Sequence, residues 1–292
     1  MGWRLQYKLA PYVFIAPFFI LLALFTMIPF LFSVYISFTD WQGSADARWV
    51  GLNNYGKLFY SRIFWESVQN SLIIFLLYVP AMLLLALLLA VALNQPWLPG
   101  KGMLRTAFVV PNITSVIAVS FVFVLLLNTN DGIVNHLLLG LHVVKQPIRF
   151  LDTPFWARIS VAFIVLFRWV GYNMLLLLAG LQTVPRELYE AAKVDGARPA
   201  AIFFKITVPM LNKVLLFCTV LSTIGTFSLF VEPYIVAKGG PMNATTTPIL
   251  LLFRESFENF HFGYASAISV AFLLLMALLT LLQLKLFSGR GE

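Results

Sequence analysis

From Pro11 to Phe38 the chain runs without a single Asp, Glu, Lys or Arg. A helix needs about 20 apolar residues to cross the hydrocarbon layer of a bilayer. Five further stretches meet the same criterion. The expected spans are about 11–38, 69–93, 106–128, 157–182, 213–237 and 264–287. Backbone N–H and C=O groups find no water inside lipid, so such segments must be helical. The fold class expected is therefore an all-α membrane protein with six transmembrane helices, in one domain over residues 1–292. Composition agrees. Only 11% of residues are charged and 60% are hydrophobic, whereas a soluble domain carries about 25% charged residues. The first stretch is too long for a signal-peptide core and reads as a retained span.

The formal net charge of +8 would suit nucleic acid, but its distribution speaks for topology instead. With the N-terminus inside, eleven basic and four acidic residues fall on the inner side, a net of +7. Eight basic and seven acidic residues fall outside, a net of +1. Cytoplasmic loops carry the excess of Lys and Arg, so both termini are expected in the cytoplasm, with no nucleic-acid partner. Trp41, Trp49, Trp65 and Trp156 lie near span ends, where amphipathic rings settle. Pro29, Pro80, Pro111 and Pro233 fall within or near span ends and can bend helices there.

No motif points to catalysis. The chain has no GxxxxGK[ST] phosphate loop, no HExxH and no GxSxG. Cys218, the single cysteine, sits in an apolar run and reads as a small buried residue. His136, His142 and His261 are well separated on or near outer loops. No catalytic residue, metal site or cofactor is expected.

Within the spans, Arg168 is the one deep cation, and intramembrane charges face a cavity or a partner. Tyr172 lies one turn further on the same face, flanked by Trp169 and Asn173. An aromatic ring beside hydrogen-bonding groups suits a sugar. Ser222 and Thr226 are four apart and share a face, with Thr219 and Ser228 as secondary candidates. Hydroxyls in membrane helices also bond their own backbone or a neighbouring helix. Glu232 could pair with Arg168, or Arg168 could attract an anionic substrate such as a sugar phosphate; the residues leave both readings open.

The segment 183–212 differs from everything around it. Thr183 can cap a helix, and Pro185 suits a first turn. RELYEAAKV is a good helix former, with Leu188, Ala191 and Ala192 on one apolar patch. Asp195-Gly196 is a turn pair, Pro199 opens a second helix, and Pro209 stops or kinks it. A helix–turn–helix at the cytoplasmic surface is expected, either a plain connector or a docking knob for a partner's groove.

The order Glu190-Ala191-Ala192, three residues, Gly196, nine residues, Ile206-Thr207-Val208-Pro209 is similar to the EAA signature of permease subunits of binding-protein-dependent ABC importers, with Val208 in place of Leu. GLQTVPRELYEAAKVDGA, GGPMNATTTP and GLNNYGKLF resemble the sugar permeases of maltose, trehalose and glycerol-3-phosphate importers, and the likeness covers essentially the whole chain. It implies a type I ABC importer permease fold in a bacterial or archaeal cytoplasmic membrane. Segment 183–212 would be the coupling hairpin, with Glu190, Ala191, Ala192, Asp195, Gly196 and Pro209 meeting an ATPase subunit. The implied partners are a second permease in a heterodimer, two copies of the ATPase, an extracytoplasmic sugar-binding protein and membrane lipid. ATP and Mg would bind the ATPase. The resemblance also places Tyr172, Ser222 and Thr226 at positions lining the family's sugar site, while Arg168 and Trp169 replace small or apolar residues there. The implied cargo is a di- or oligosaccharide. The competing classes are an ion-coupled carrier, which would place acidic groups mid-bundle, an importer of a sugar phosphate such as glycerol-3-phosphate, and a membrane-embedded enzyme.

Overall fold

The structure, a computed structural model, describes residues 2–44 and 46–288; Arg290 and Glu292, assigned to the inner side, lie outside them. Its helices in chain order are α1 (Gly2–Leu22), α2 (Ile28–Ile36), α3 (Asn53–Tyr60), α4 (Arg62–Asn94), α5 (Lys101–Ile113), α6 (Val116–Leu126), α7 (Ile133–Gly140), α8 (Pro154–Gln182), α9 (Arg186–Val194), α10 (Pro199–Ile202), α11 (Val208–Met210), α12 (Asn212–Phe227), α13 (Val231–Ala237), α14 (Pro248–Phe253) and α15 (Phe262–Ser288). Among the described residues four helical stretches are long and apolar enough to cross a membrane: Ala10–Ile36, Arg62–Asn94, Pro154–Gln182 and Phe262–Leu286. Two bent pairs pass the same test only when each is taken as one span, α5 with α6 at 93° and Pro199–Met210 with α12 at 68°; the second begins inside segment 183–212, ahead of the expected start at 213.

The third and fifth expected spans are thus not straight rods, and prolines account for much of this. Pro111 lies in the last turn of α5, just before the break at Thr114–Ser115. Of three π-helical turns among the described residues, Ala23–Met27 and Phe203–Thr207 are each followed two residues later by a proline, Pro29 and Pro209, while Arg254–Glu258 is not. A proline cannot donate to the carbonyl four residues back, and a wider turn is one way for the ladder to adjust. Pro233 acts similarly. It has no N–H to offer the carbonyl of Leu229, and the fifth crossing breaks at Ser228–Phe230. The Thr247 hydroxyl donates to that carbonyl instead, at 2.5 Å.

The chain forms two compact units, residues 1–61 with 252–274 and residues 62–251 with 275–292. In the first, Asn54 is buried and its amide donates to the carbonyls of Ser37 (2.9 Å) and Thr39 (2.7 Å). That clamp holds α3 to the chain leaving α2. Gly263 lies so close to Thr39 that a Cβ there would meet its carbonyl oxygen at 2.1 Å. The helix Ala10–Ile36 buries almost none of its side chains in this chain, so lipid or another subunit must cover them.

The core of the second unit is α4 against α8. On α4 the buried residues Ile74, Tyr78, Met82, Ala86 and Ala90 recur at helical spacing, and α8 answers with Ala157, Val161, Ile164, Met174 and Leu177. Small residues at such seams let membrane helices approach closely. Gly171 is the extreme case: a Cβ there would lie 1.8 Å from the Phe108 carbonyl oxygen of α5.

Candidate functional site

Arg168 and Glu232 meet. The Arg168 Nη1 donates to Glu232 Oε1 at 2.5 Å, with the two side chains only 11% and 5% exposed. Residue 168 sits midway along α8 and Glu232 in the first turn of α13, so the ion pair fastens the short helix to the long one. Two charges of opposite sign in a low-dielectric bundle are tolerable only as a pair. The Nε of Arg168 remains buried without a hydrogen-bond partner.

Around this pair the expected residues separate into two groups. Trp169 and Tyr172 are half-buried and pack edge to face, ring centroids 5.7 Å apart. Asn173 is turned the other way. It is 3% exposed and donates to the Trp169 carbonyl (3.0 Å) and toward the Met82 sulfur (3.5 Å). Thr226 is fully buried. Its hydroxyl donates to the Ser222 carbonyl at 2.5 Å and accepts from the Tyr78 hydroxyl at 2.6 Å. Ser222 is 8% exposed beside it. Thr219 bonds back to Leu215, and Thr223 both to the Thr219 carbonyl and, as acceptor, to Gln283 of α15 at 2.7 Å. So the bundle brings Arg168, Trp169 and Tyr172 into one half-open group, while Asn173, Ser222 and Thr226 are built into helix contacts.

Sequence reasoning missed Tyr78 and Gln283. Tyr78 is a lone polar residue in an otherwise apolar run, which is a usable signal; Gln283 stands between Thr280 and Lys285 and is less conspicuous. It also missed a second buried network. Arg158 donates to the Ala244 carbonyl (3.0 Å) and to Asn70 Oδ1 (2.8 Å), and Asn70 donates to the carbonyls of Asn243 (2.7 Å) and Thr246 (3.1 Å). Thr245, Thr246 and Thr247 are fully buried. The stretch GGPMNATTTP is therefore a fixed loop bound to α4 and α8, with Met242 projecting from it 88% exposed.

In segment 183–212, α9 carries Glu190, Ala191 and Ala192. It closes with Gly196 at φ +71°, its N–H bonded to Lys193 and that of Ala197 to Ala192, the glycine-terminated ending that only a residue without Cβ adopts easily. Thr183 does not cap α9; its hydroxyl bonds back to Gly180 and finishes α8, and Pro185 occupies the capping position. Pro209 lies in α11, just before the 68° bend. Leu188 is 41% exposed, and Glu190, Ala191 and Asp195 are exposed as well. Nothing within 4 Å would meet a Cβ at Gly196. This face is left uncovered by its own chain.

Residues 55–289 match the family described as binding-protein-dependent transport system inner membrane component. The chain belongs to that family. As an inner-membrane permease it is a multi-pass transport component rather than an enzyme, as the EAA-type spacing implied. It is 38% identical over 280 residues to the lactose transport system permease LacF of Rhizobium radiobacter, covering 95% of this chain and 93% of that one. Against the trehalose/maltose permease MalF of Thermococcus litoralis it is 32% identical over 292 residues, 99% and 98% covered. Against the arabinooligosaccharides permease AraP of Bacillus subtilis it is 32% identical over 302 residues, 99% and 94% covered. The permease fold is also that of a bacterial ABC transporter involved in the import of alginate, with a TM-score of 0.85 at 20% identity and 99% of both chains covered.

Proposed function

We propose that this chain is one of two membrane-spanning subunits of an ATP-driven importer for a di- or oligosaccharide. A separate binding protein delivers the sugar from outside. Two ATPase subunits, which bind ATP and Mg, grip segment 183–212 from the cytoplasm, where both chain termini also lie. Their closure moves the hairpin, and the bundle alternates between outward-open and inward-open states. The observation that carries this reading is the uncovered face of α9: Glu190, Ala191 and Asp195 stand exposed beside a glycine turn with open space around it. Small residues let a partner approach closely, and among the described residues neither acid has an ion pair within the chain.

The relatives named for lactose, trehalose/maltose and arabinooligosaccharides support a saccharide cargo. Trp169 and Tyr172 offer ring faces for sugar C–H groups. Arg168 has its charge already met by Glu232, which favours a neutral sugar over a sugar phosphate. Asn173, Ser222 and Thr226 reach substrate only if their helix contacts open in another state.

The test is retention of the ATPase. An Ala191→Trp variant adds bulk on the exposed helical face without straining the left-handed turn at Gly196, so the permease should insert normally and lose its ATPase on purification. Wild-type retention in that variant would remove the coupling assignment.

A further inference from the structure

A cavity of about 870 Å³ lies where α4 and α8 end and α5 and α9 begin. Four cations line it, Lys101, Arg105, Arg186 and Lys193, against one acid, Glu190. Among the described residues none of the four forms an ion pair. Buried Arg105 Nε has no hydrogen-bond partner. That atom is packed against protein, so the case for a ligand rests on the four cations themselves: like charges around one recess repel one another unless an anion arrives. Val91, Leu93, Leu181, Ile202 and Phe203 add apolar lining to the same cavity.

We propose that this cavity binds a phosphate group, and that its natural source is the headgroup of an anionic phospholipid. The position fits. Val91–Asn94, Leu181–Gln182 and Lys101 are the ends of membrane-crossing helices, so the cavity lies at headgroup level, with cations for the phosphate and an apolar lining for the glycerol and the first acyl carbons. Basic recesses between membrane helices hold acidic lipid headgroups through the same chemistry. The planar Arg105 fork can present two donors to phosphate oxygens. A bound phosphate would tie the 94–105 turn to α9, and so fix the hairpin against the bundle. The inference does not depend on the ATPase-coupling reading, because the binding is measured directly.

The test uses the full-length protein with the subunits that co-purify with it. It is incubated in detergent with phosphatidylglycerol, phosphatidylcholine or inorganic phosphate, and bound molecules are counted by native mass spectrometry. Phosphatidylglycerol should be retained over phosphatidylcholine. The double variant Lys101→Gln with Arg105→Gln should weaken retention about 25-fold, at about fivefold per cation. Lys193→Gln, on the exposed rim, should weaken it about fivefold without risk to folding. Lys145→Gln, on an exposed loop away from the cavity, should change nothing. Tight inorganic phosphate that displaces the lipid would assign the site to a soluble phosphate instead, sinking the lipid source while leaving the phosphate chemistry. Equal retention in all variants, equal loss with Lys145→Gln, or an acidic protein segment cross-linked to Lys101 with no phosphate bound would overturn the site itself.

Discussion

Arg168 and Glu232 have meaning only together. Removing one partner of a buried pair leaves an uncompensated charge, at about 3–5 kcal/mol, whereas replacing both with apolar groups is often neutral or stabilising. Arg168→Met or Glu232→Leu alone should therefore lower thermal stability strongly, and the double variant should recover most of the loss. A double-mutant cycle on the melting temperature reads this directly; additive losses would mean that the pair is not coupled. Whether Arg168 would meet Glu232 or a ligand could not be read from sequence, because the two residues are 64 apart and span boundaries do not specify helix rotation. The same limit hid Tyr78 and Thr226, 148 residues apart.

At the scale of elements, the apolar crossings were legible because long apolar runs admit little else in lipid: four are single long helices, and two more count only if each bent pair is one span. The breaks were not. Prolines marked where bends were possible, but Pro80 sits inside the continuous helix α4 while Pro111 lies beside a 93° turn. Proline removes one hydrogen bond in both places, and only packing decides whether the helix turns. The loop 239–247 shows what tertiary bonding adds. Arg158 and Asn70 join it to two helices through hydrogen bonds to a charged group, worth about 1.5–3 kcal/mol each. Arg158→Ala should increase protease cleavage and amide exchange in 239–247 while α9 is unchanged; Arg158→Lys should restore little, since it lacks the fork that reaches both acceptors. Unchanged exchange in that loop would show that the threonine bonds suffice.

For the whole molecule, the coupling segment and the sugar face must fail independently if each does what is proposed. Tyr172→Ala should reduce sugar uptake by about tenfold or more, as loss of an aromatic packing face of about 1.5 kcal/mol implies, while the ATPase still co-purifies. Intact uptake in that variant would remove Tyr172 from the sugar path. The EAA segment was legible because its spacing is local and fixed. For the proposed sugar face, residues one turn apart share a side of α8, yet Asn173, expected beside Tyr172, turns toward α4.

The broken fifth crossing has a consequence for biogenesis. Pro233 leaves the Leu229 carbonyl without its usual donor, and the group that replaces it comes from Thr247, eighteen residues later in the chain. Until that threonine has left the ribosome and folded back, a bare carbonyl stands in or near the bilayer. The segment 212–237 therefore reaches its final form only after residues 239–247 have been synthesised and seated, which makes the order of synthesis part of how this membrane protein matures.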